Sequence, residues 1–269
     1  GYGGPGGVAA VFRMGGVAVP VTHVRCVVAY DGTGMLGFQR QRRGPTIQGL
    51  LEEAIAALTG EQVRVLGAGR TDAGVHALGQ VISFRTQSRI PVERWPYALN
   101  SRLPAQVVVH GAEEAPADFH PRRDATAKEY HYSIWNAPFP SPFWARWALH
   151  VPQPLDVAAM AEAAALLVGR HDFAAFRAAG STPVRSTVRH LMELRVERSP
   201  HCPQHVRIVA KADGFLYHMV RNIAGTLLLV GQGRQRPKWV AEVLAARRRD
   251  MAGPTAPAHG LCLVRVEYG

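Results

Sequence analysis

The sequence predicts an α+β fold built from two similar units, each with a mainly antiparallel sheet backed by two helices. Short runs in which apolar and polar residues alternate, typical of strands, are separated by segments rich in Gly and Pro. Only a few stretches have the 3.6-residue apolar period of a helix. The order of strands and helices is similar in the two halves of the 269-residue chain. Two such units imply a cleft between them.

We expect three segments: a flexible tail over 1–21, a first α+β domain over 22–111 and a second over 112–269. The tail is rich in Gly, Ala and Val and has no helical or strand period. No apolar run is long enough to cross a membrane, and no signal peptide is recognised. The chain has 3 cysteines, far apart, which fits reduced thiols. We therefore expect a cytoplasmic protein with no membrane association.

The first domain begins with a predicted strand, Thr22 to Tyr30, whose apolar residues at 24, 26 and 28 share a face. Thr46 is a good N-cap for an amphipathic helix over 47–58, and Gly60 supplies its end. Further elements follow in order: a strand over 63–66, a strand over 81–84, a helical stretch from Pro91 towards Arg102, and a strand over Gln106 to His110.

The second domain begins with a strand over Ala127 to Asn136, where alternation puts Lys128, Tyr130, Tyr132 and Ile134 on one face. The other predicted elements are a helix over 155–168, a hairpin of strands 188–197 and 205–212, a helix over 215–227, a helix over 237–247 and a strand over 261–268. In the first hairpin strand Val188, His190, Met192, Leu194 and Val196 are expected on one face. The 215–227 helix is apolar all round and carries Arg221 inward, where a guanidinium needs a carboxylate partner.

Charge indicates a polyanionic partner. The formal net charge is +11, and lysine occurs only at positions 128, 211 and 238, so nearly all cations are arginine. Arginine donates two hydrogen bonds to a phosphate and stacks on bases. An arginine-rich genome composition is the alternative cause of this bias.

Two motifs indicate sites that their context rejects. Residues 32–37 read G-x-G-x-x-G after a strand, but a basic stretch ended by Gly44 and Pro45 follows where a dinucleotide site requires a helix. His201, Cys202 and His205 match no zinc spacing and have no second ligand pair nearby. We therefore expect neither a nucleotide cofactor nor a metal.

The most informative stretch is the glycine-rich segment 67–81, which we interpret as a loop between two strands. It places Arg70 two residues before Asp72 and His76 four residues after it. A cation, a carboxylate and an imidazole held so close together indicate a reaction centre. An Asp that caps a turn beside a surface arginine is the ordinary alternative, and the residues alone leave it open.

The eight residues Arg70 to Ala77 resemble the signature loop of the TruA family of tRNA pseudouridine synthases. Other stretches are similar to the family in the same order: 30–33 with 37–40, 119–122, 128–132, 218–223, and 260–268. The resemblance implies the pseudouridine synthase fold, in which the two sheets join into one central sheet with helices on the outer face. It also implies a homodimer, no cofactor, and conversion of uridine to pseudouridine at positions 38, 39 and 40 of the tRNA anticodon arm.

The same resemblance assigns roles. Asp72 is the expected nucleophile, attacking the uracil ring or the sugar carbon. Arg221, brought from the second domain, is the candidate that keeps this carboxylate ionised, and Tyr130 is the candidate that stacks on the flipped base and handles the C5 proton. Arg70 is expected to hold the flipped nucleotide or its phosphate. Further tRNA contacts are expected from His76, Gln80, Gln39, Arg40, Phe119, His120, Arg122 and Arg123.

Two other classes of protein are alternatives to the enzyme. A non-catalytic RNA-binding protein explains the charge and the aromatic residues equally well, but leaves Asp72 and Arg221 without a task. A carboxylate-dependent nucleic-acid hydrolase needs clustered acids to hold a metal. The chain has 20 acidic residues, and none lies beside Asp72 in the sequence.

Overall fold

The computed structural model describes residues 11–14 and 17–269. The predicted flexible tail, 1–21, thus lies partly outside the described residues. Where it is described, strand β1 (Val11–Met14) pairs antiparallel with strand β2 (Val17–Pro20). The flexibility of the tail stays a prediction.

The chain divides into two compact units, the first ending at Ala125 and including Tyr268 and Gly269, the second spanning Thr126–Glu267. The predicted boundary after residue 111 lies too early. The strand that ends the first unit continues to Glu114, and the Ala115 amide then donates to the His23 carbonyl at 2.8 Å. Phe119, further along, is buried against the Tyr268 ring.

In the first unit, strand β3 (Thr22–Tyr30) lies between β5 (His76–Thr86) and β6 (Val107–Glu114), antiparallel to both. A short β4 (Leu66–Gly67) pairs with β5. The predicted face of β3 is confirmed, since Val24, Cys26 and Val28 are buried.

Helix α1 (Ile47–Thr59) has the predicted caps: the Gly49 amide donates to Thr46 Oγ1 at 3.1 Å, and Gly60 ends the helix at φ 76°. The second helical stretch is shorter than predicted. A 3-10 turn (Val92–Arg94) precedes α2 (Trp95–Asn100), and together they span less than 91–102.

Two predictions around the glycine-rich segment were wrong. The strand expected over 63–66 is reduced to the two residues of β4, and the expected loop over 67–81 ends at His76, where β5 begins. Residues 77 and 80 already pair with Tyr30 and Val28 of β3. Because most residues of this stretch are small or polar, the sequence does not predict this part of β5, which forms by pairing with β3.

The second unit contains a sheet in the order β12-β7-β11-β10-β9, with β8 parallel to β7 and the β9–β10, β10–β11 and β11–β7 pairs antiparallel. The strands are β7 (Ala125–Asn136), β8 (Leu149–Val151), β9 (Gly169–Asp172), β10 (Val188–Arg198), β11 (His205–Ala212) and β12 (Leu261–Tyr268). One face prediction in β10 was wrong: an irregularity between Leu191 and Glu193 shifts the alternation, so that Leu191 is buried and Met192 is exposed.

The helices of this unit are α3 (Val157–Ala165), α4 (Met219–Gly231) and α5 (Pro237–Ala246). The prediction that α4 is largely buried is confirmed, but it begins at Met219 rather than 215 because His218 adopts a left-handed conformation, φ 58°. The α+β class with mainly antiparallel strands is also confirmed. Among the described residues, no helix is long and apolar enough to cross a membrane.

Candidate active site

Asp72 lies half-buried in a tight turn that precedes β5. The Val75 amide donates to the Asp72 carbonyl at 3.0 Å, which closes the turn through the main chain. On the other side, the Phe38 amide donates to the Thr71 carbonyl, also at 3.0 Å. The position of the Asp72 backbone is therefore fixed by hydrogen bonds on both flanks.

A buried chain of polar side chains supports this turn from inside the first unit. The hydroxyls of Tyr30 and Thr71 are 2.6 Å apart, and Gln80 Nε2 lies 3.4 Å from the Tyr30 hydroxyl. Gln80 also bonds both polar groups of one peptide residue: Gly69 N donates to its Oε1 at 3.2 Å, and its Nε2 donates to Gly69 O at 2.7 Å. The amide side chain thus pins the segment before Arg70 to β5.

His76 fixes the turn against the segment 31–38. Its Nδ1 accepts a hydrogen bond from the Gly32 amide at 2.9 Å, so the ring is the neutral tautomer with hydrogen on Nε2. Asp31 Oδ1 lies 3.3 Å from the same Nδ1.

Two glycines allow this close approach of backbone to backbone. A Cβ at Gly32 would lie 2.1 Å from the Val75 carbonyl oxygen. A Cβ at Gly37, where φ is +88°, would lie 2.8 Å from the Thr71 carbonyl oxygen. Gly32 and Gly37 of the rejected nucleotide motif therefore have a different role, which is to let the Asp72 turn pack closely against this segment.

The residues predicted to contact tRNA from this loop separate into two groups. Arg70 is exposed. His76 is only 5% exposed and Gln80 has no exposed surface, so the bonds described above are with the protein itself. In the structure these two residues therefore hold the turn. This differs from the predicted contact with RNA.

The basic stretch 39–43 lies on the surface. Gln39 and Arg40 are exposed, as are the three residues after them. Arg40 Nη1 lies 3.2 Å from Glu52 Oε1, and the Arg40 amide donates to Gln48 Oε1 at 2.7 Å. The backbone of this stretch is therefore anchored to α1 while its cations face solvent.

The second basic stretch, 119–123, is only partly available to a ligand. Phe119 is buried, with the Arg25 guanidinium 5.0 Å above its ring, so it belongs to the core of the first unit and differs in this from the predicted RNA contact. His120 Nδ1 accepts from the amides of Arg122 and Arg123, both at 3.2 Å, and burial and the Arg123 cation lower its pKa. The side chains of Arg122 and Arg123 are exposed.

Strand β7 places two tyrosines differently, although alternation predicts one face for both. Tyr132 is fully buried: its hydroxyl donates to the Pro257 carbonyl at 2.7 Å, and burial raises its pKa. Tyr130 is half-buried, with its ring edge-on to Phe215 at 5.0 Å. Of the two, Tyr130 is the one that keeps some exposed surface.

Arg221 lies in the first turn of α4 and is half-buried. Its Nε donates to the Ala256 carbonyl at 2.8 Å, and the Ala256 amide donates to the Arg221 carbonyl at 3.0 Å. Just before the helix, the His218 ring stacks on Tyr217 with centroids 3.9 Å apart. Sequence reasoning missed the segment around Ala256, because nothing in its composition signals that it packs against α4.

The described residues contain no group of three or more His, Cys, Asp or Glu side chains that could hold a metal ion. The hairpin tip around Cys202 is among these described residues. Its thiol points to Gln204 Oε1 at 3.7 Å.

Comparison with known proteins gives a consistent result. A family model described as tRNA pseudouridine synthase matches residues 26–124 and 163–269. A protein named tRNA pseudouridine synthase A from Moorella thermoacetica is 51% identical over 247 residues, covering 91% of this chain and 99% of the relative. Proteins with the same name from Brevibacillus brevis and Acetivibrio thermocellus are 49% and 44% identical, again over 91% of this chain and 99% of the relative. The family predicted from the Arg70 to Ala77 loop is thus confirmed, and the chain belongs to the tRNA pseudouridine synthase family.

Proposed function

We propose that this protein isomerises uridine to pseudouridine at positions 38, 39 and 40 of the tRNA anticodon stem-loop, with Asp72 as nucleophile. The single observation that carries the assignment of Asp72 is its turn. Buried bonds from Tyr30, Gln80 and His76 fix the turn on both flanks, and two glycines exist where a side chain would displace it. Such a constraint is expected where a reacting group must be held in place.

The reaction breaks the glycosidic C–N bond, turns the uracil ring and joins C5 to the sugar; the hydrogen on C5 is lost to solvent as a proton, and N1 takes up a proton in its place. No electrons are transferred overall and no group is added. A carboxylate is a sufficient nucleophile, because it forms a covalent intermediate that splits the isomerisation into two easier steps. The reaction therefore requires no cofactor.

Other residues take supporting roles in this proposal. Arg221 supplies a positive charge, and Tyr130 supplies an aromatic ring and a hydroxyl for the base that leaves its stack. Arg70 holds the nucleotide or its phosphate. Exposed side chains at Gln39, Arg40, Arg122 and Arg123 contact the tRNA backbone, which fits a net charge of +11. The protein acts in the cytoplasm as a homodimer.

The test is release of tritium from tRNA that carries [5-³H]uridine, because each isomerisation frees one C5 hydrogen. We expect release by the wild type and none by Asp72→Asn, which keeps the size of the side chain but removes its charge. Asp250→Asn is the matched control, since Asp250 is an exposed carboxylate paired with Arg248. This control is expected to release tritium at the wild-type rate.

A tRNA-binding assay on the same variants separates the enzyme from its rivals. Binding retained by Asp72→Asn together with loss of release supports a synthase with Asp72 at its centre. Binding by all variants without release from any would make this chain a binder, and metal-dependent cleavage of the tRNA would make it a hydrolase. Wild-type turnover by Asp72→Asn would overturn the mechanism.

A further inference from the structure

A hydrogen-bonded network joins the segment 249–256 to α4 in the second unit. Arg249 Nη1 donates to the Gly253 carbonyl at 2.8 Å, and its Nη2 lies 3.1 Å from both Asn222 Oδ1 and Thr255 Oγ1. Thr255 Oγ1 also donates to Asn222 Oδ1 at 2.5 Å. One arginine on the segment and one buried amide on the helix therefore hold the two pieces together.

The packing between these pieces leaves no space for adjustment. A Cβ at Gly225 would lie 1.6 Å from the Pro254 carbonyl oxygen, and a Cβ at Gly253 would lie 2.7 Å from the Gly225 carbonyl oxygen. The Gly253 amide donates to Thr226 Oγ1 at 2.9 Å. The backbone of the segment thus follows α4 at the closest distance that peptides allow.

This contact ends at Arg221. Ala256, the last residue of the segment, makes two hydrogen bonds with Arg221: its amide donates to the Arg221 carbonyl, and its carbonyl accepts from the guanidinium Nε. The direction of the Arg221 side chain therefore depends on where the Ala256 carbonyl stands. The hydrogen bonds of Arg249 set the position of that carbonyl.

Arg249 brings a charge into a partly buried position, which packing alone does not require. It is half-buried, burial lowers its pKa, and among the described residues no carboxylate pairs with it. A cation with only neutral oxygen partners costs more to bury than a neutral side chain would. The planar guanidinium offsets this cost because its hydrogen bonds fix three acceptors at once.

We propose that Arg249 is a positioning residue for the isomerisation, acting through Ala256 on the guanidinium of Arg221. This inference rests on the proposed function, because it assumes that Arg221 takes part in the chemistry. Loss of the Arg249 guanidinium lets the 253–256 segment move and the Arg221 side chain turn. Asn222 and Thr255 belong to the same device.

The first arm of the test measures rates. Arg249→Met removes the charge and the fork but keeps the length of the chain. We expect the single-turnover rate of tritium release to fall about 10- to 100-fold with KM changed much less, because a displacement of about 1 Å at a reacting group has effects of this size. Arg248→Met is the matched control, since Arg248 is the exposed neighbour that pairs with Asp250; it is expected to keep the wild-type rate.

A second background shows whether Arg249 acts through Arg221. In an Arg221→Lys chain, Arg249→Met is expected to cause little further loss, because the group that it positions is already gone. Equal losses in both backgrounds would mean that Arg249 only stabilises the fold, and would overturn the proposal. So would a wild-type rate in Arg249→Met.

The second arm does not depend on activity. The Nε–H signal of Arg221 in ¹H–¹⁵N NMR spectra, assigned by its loss in Arg221→Lys, is expected to exchange with water at least tenfold faster in Arg249→Met. Unchanged exchange would overturn the proposal even if the wild type proved inactive on tRNA. An inactive wild type with the expected change in exchange would instead count against the proposed function alone.

A milder pair of variants covers the case in which Arg249→Met does not fold. Thr255→Val removes the hydroxyl that bonds Asn222 and Arg249 at nearly constant volume, whereas Thr255→Ser keeps it. We expect Thr255→Val to lower the rate and to speed Arg221 Nε–H exchange, and Thr255→Ser to restore both. The same rate and exchange in both variants would contradict the proposed coupling.

Discussion

Side chains of different charge hold the Asp72 turn in the first unit and the first turn of α4, which carries Arg221, in the second unit. Neutral groups hold Asp72: an amide, a tyrosine hydroxyl and an uncharged imidazole, all buried. A cation holds the segment that orients Arg221. The two turns thus differ in the charge of the side chains that support them.

This difference follows from electrostatics. The amide of Gln80 and the hydroxyl of Tyr30 fix the backbone around Asp72 through hydrogen bonds and add no charge of their own beside the carboxylate. Near Arg221 the scaffold cation repels the reactive guanidinium and cannot pair with it. Both units also use glycines where main chain meets main chain.

The largest effect is expected from Gly225→Ala in the second unit. Its Cβ would overlap the Pro254 carbonyl oxygen at 1.6 Å, and the obstacle is backbone that cannot turn aside. We expect a loss of about 3 kcal/mol or more in the free energy of unfolding, together with loss of turnover. Urea denaturation followed by circular dichroism measures it. Gly111→Ala is the control, since no atom lies within 4 Å of its Cβ; equal stability of the two variants would contradict the close contact.

Gly32→Ala in the first unit should affect turnover more than stability. Its Cβ meets the Val75 carbonyl oxygen at 2.1 Å, which pushes on the turn that carries Asp72. We expect the single-turnover rate to fall about 100-fold, because the push displaces the Asp72 carboxylate from its position. Gly34→Ala, two residues away, has open space and φ +75°, so it should cost about 1 kcal/mol of stability with little change in rate. Similar rates for the two variants would count against a turn seated by Gly32.

The sequence predicts the elements whose signals are local in the chain. The β3 face, the caps of α1 and the bounds of β12 all follow from local period or local capping, and the structure confirms them. The bulge in β10 and the early start of β5 have no such signal, because each depends on the neighbouring strand. Alternation in particular fails wherever one extra residue is inserted.

The site was predictable where it is contiguous and hidden where it is not. Asp72 and Arg221 stand out from their own segments. Gln80 and Phe119 also stand out, but the sequence does not show that they point inward, and it therefore predicts contact with RNA instead of burial. Arg249 and Thr255 lie nearly thirty residues or more from Asn222 in the chain, and only the fold brings them together.

A smaller effect is expected from Gln80→Leu. The change leaves the amide and the carbonyl of Gly69 without the partners described above, in a place that water cannot reach. We expect about 2 kcal/mol less stability and a roughly tenfold lower rate, since a buried polar group left unpaired costs about 1–3 kcal/mol. Gln62→Leu is the control, because Gln62 is exposed. A Gln80→Leu enzyme with wild-type kinetics would show that the amide does not support the Asp72 turn.

The smallest expected effect concerns pH and the neutral groups of the first unit. His23 is buried, and burial lowers its pKa, aided by the nearby Arg85 cation and opposed by the hydrogen bond to the Pro116 carbonyl. The folded protein therefore binds this proton less readily than the unfolded chain does. The stability that the neutral ring contributes is present above pH 6.5, the ordinary value, and is lost as the pH falls below it, by no more than about 1.4 kcal/mol per pH unit. His23→Gln should flatten this part of the profile in urea titrations at pH 7.5 and 5.5, whereas His201→Gln, at an exposed position, should keep it. A profile that keeps its slope in His23→Gln would assign the pH dependence to the other imidazoles whose pKa values burial lowers, His120, His131 and His205.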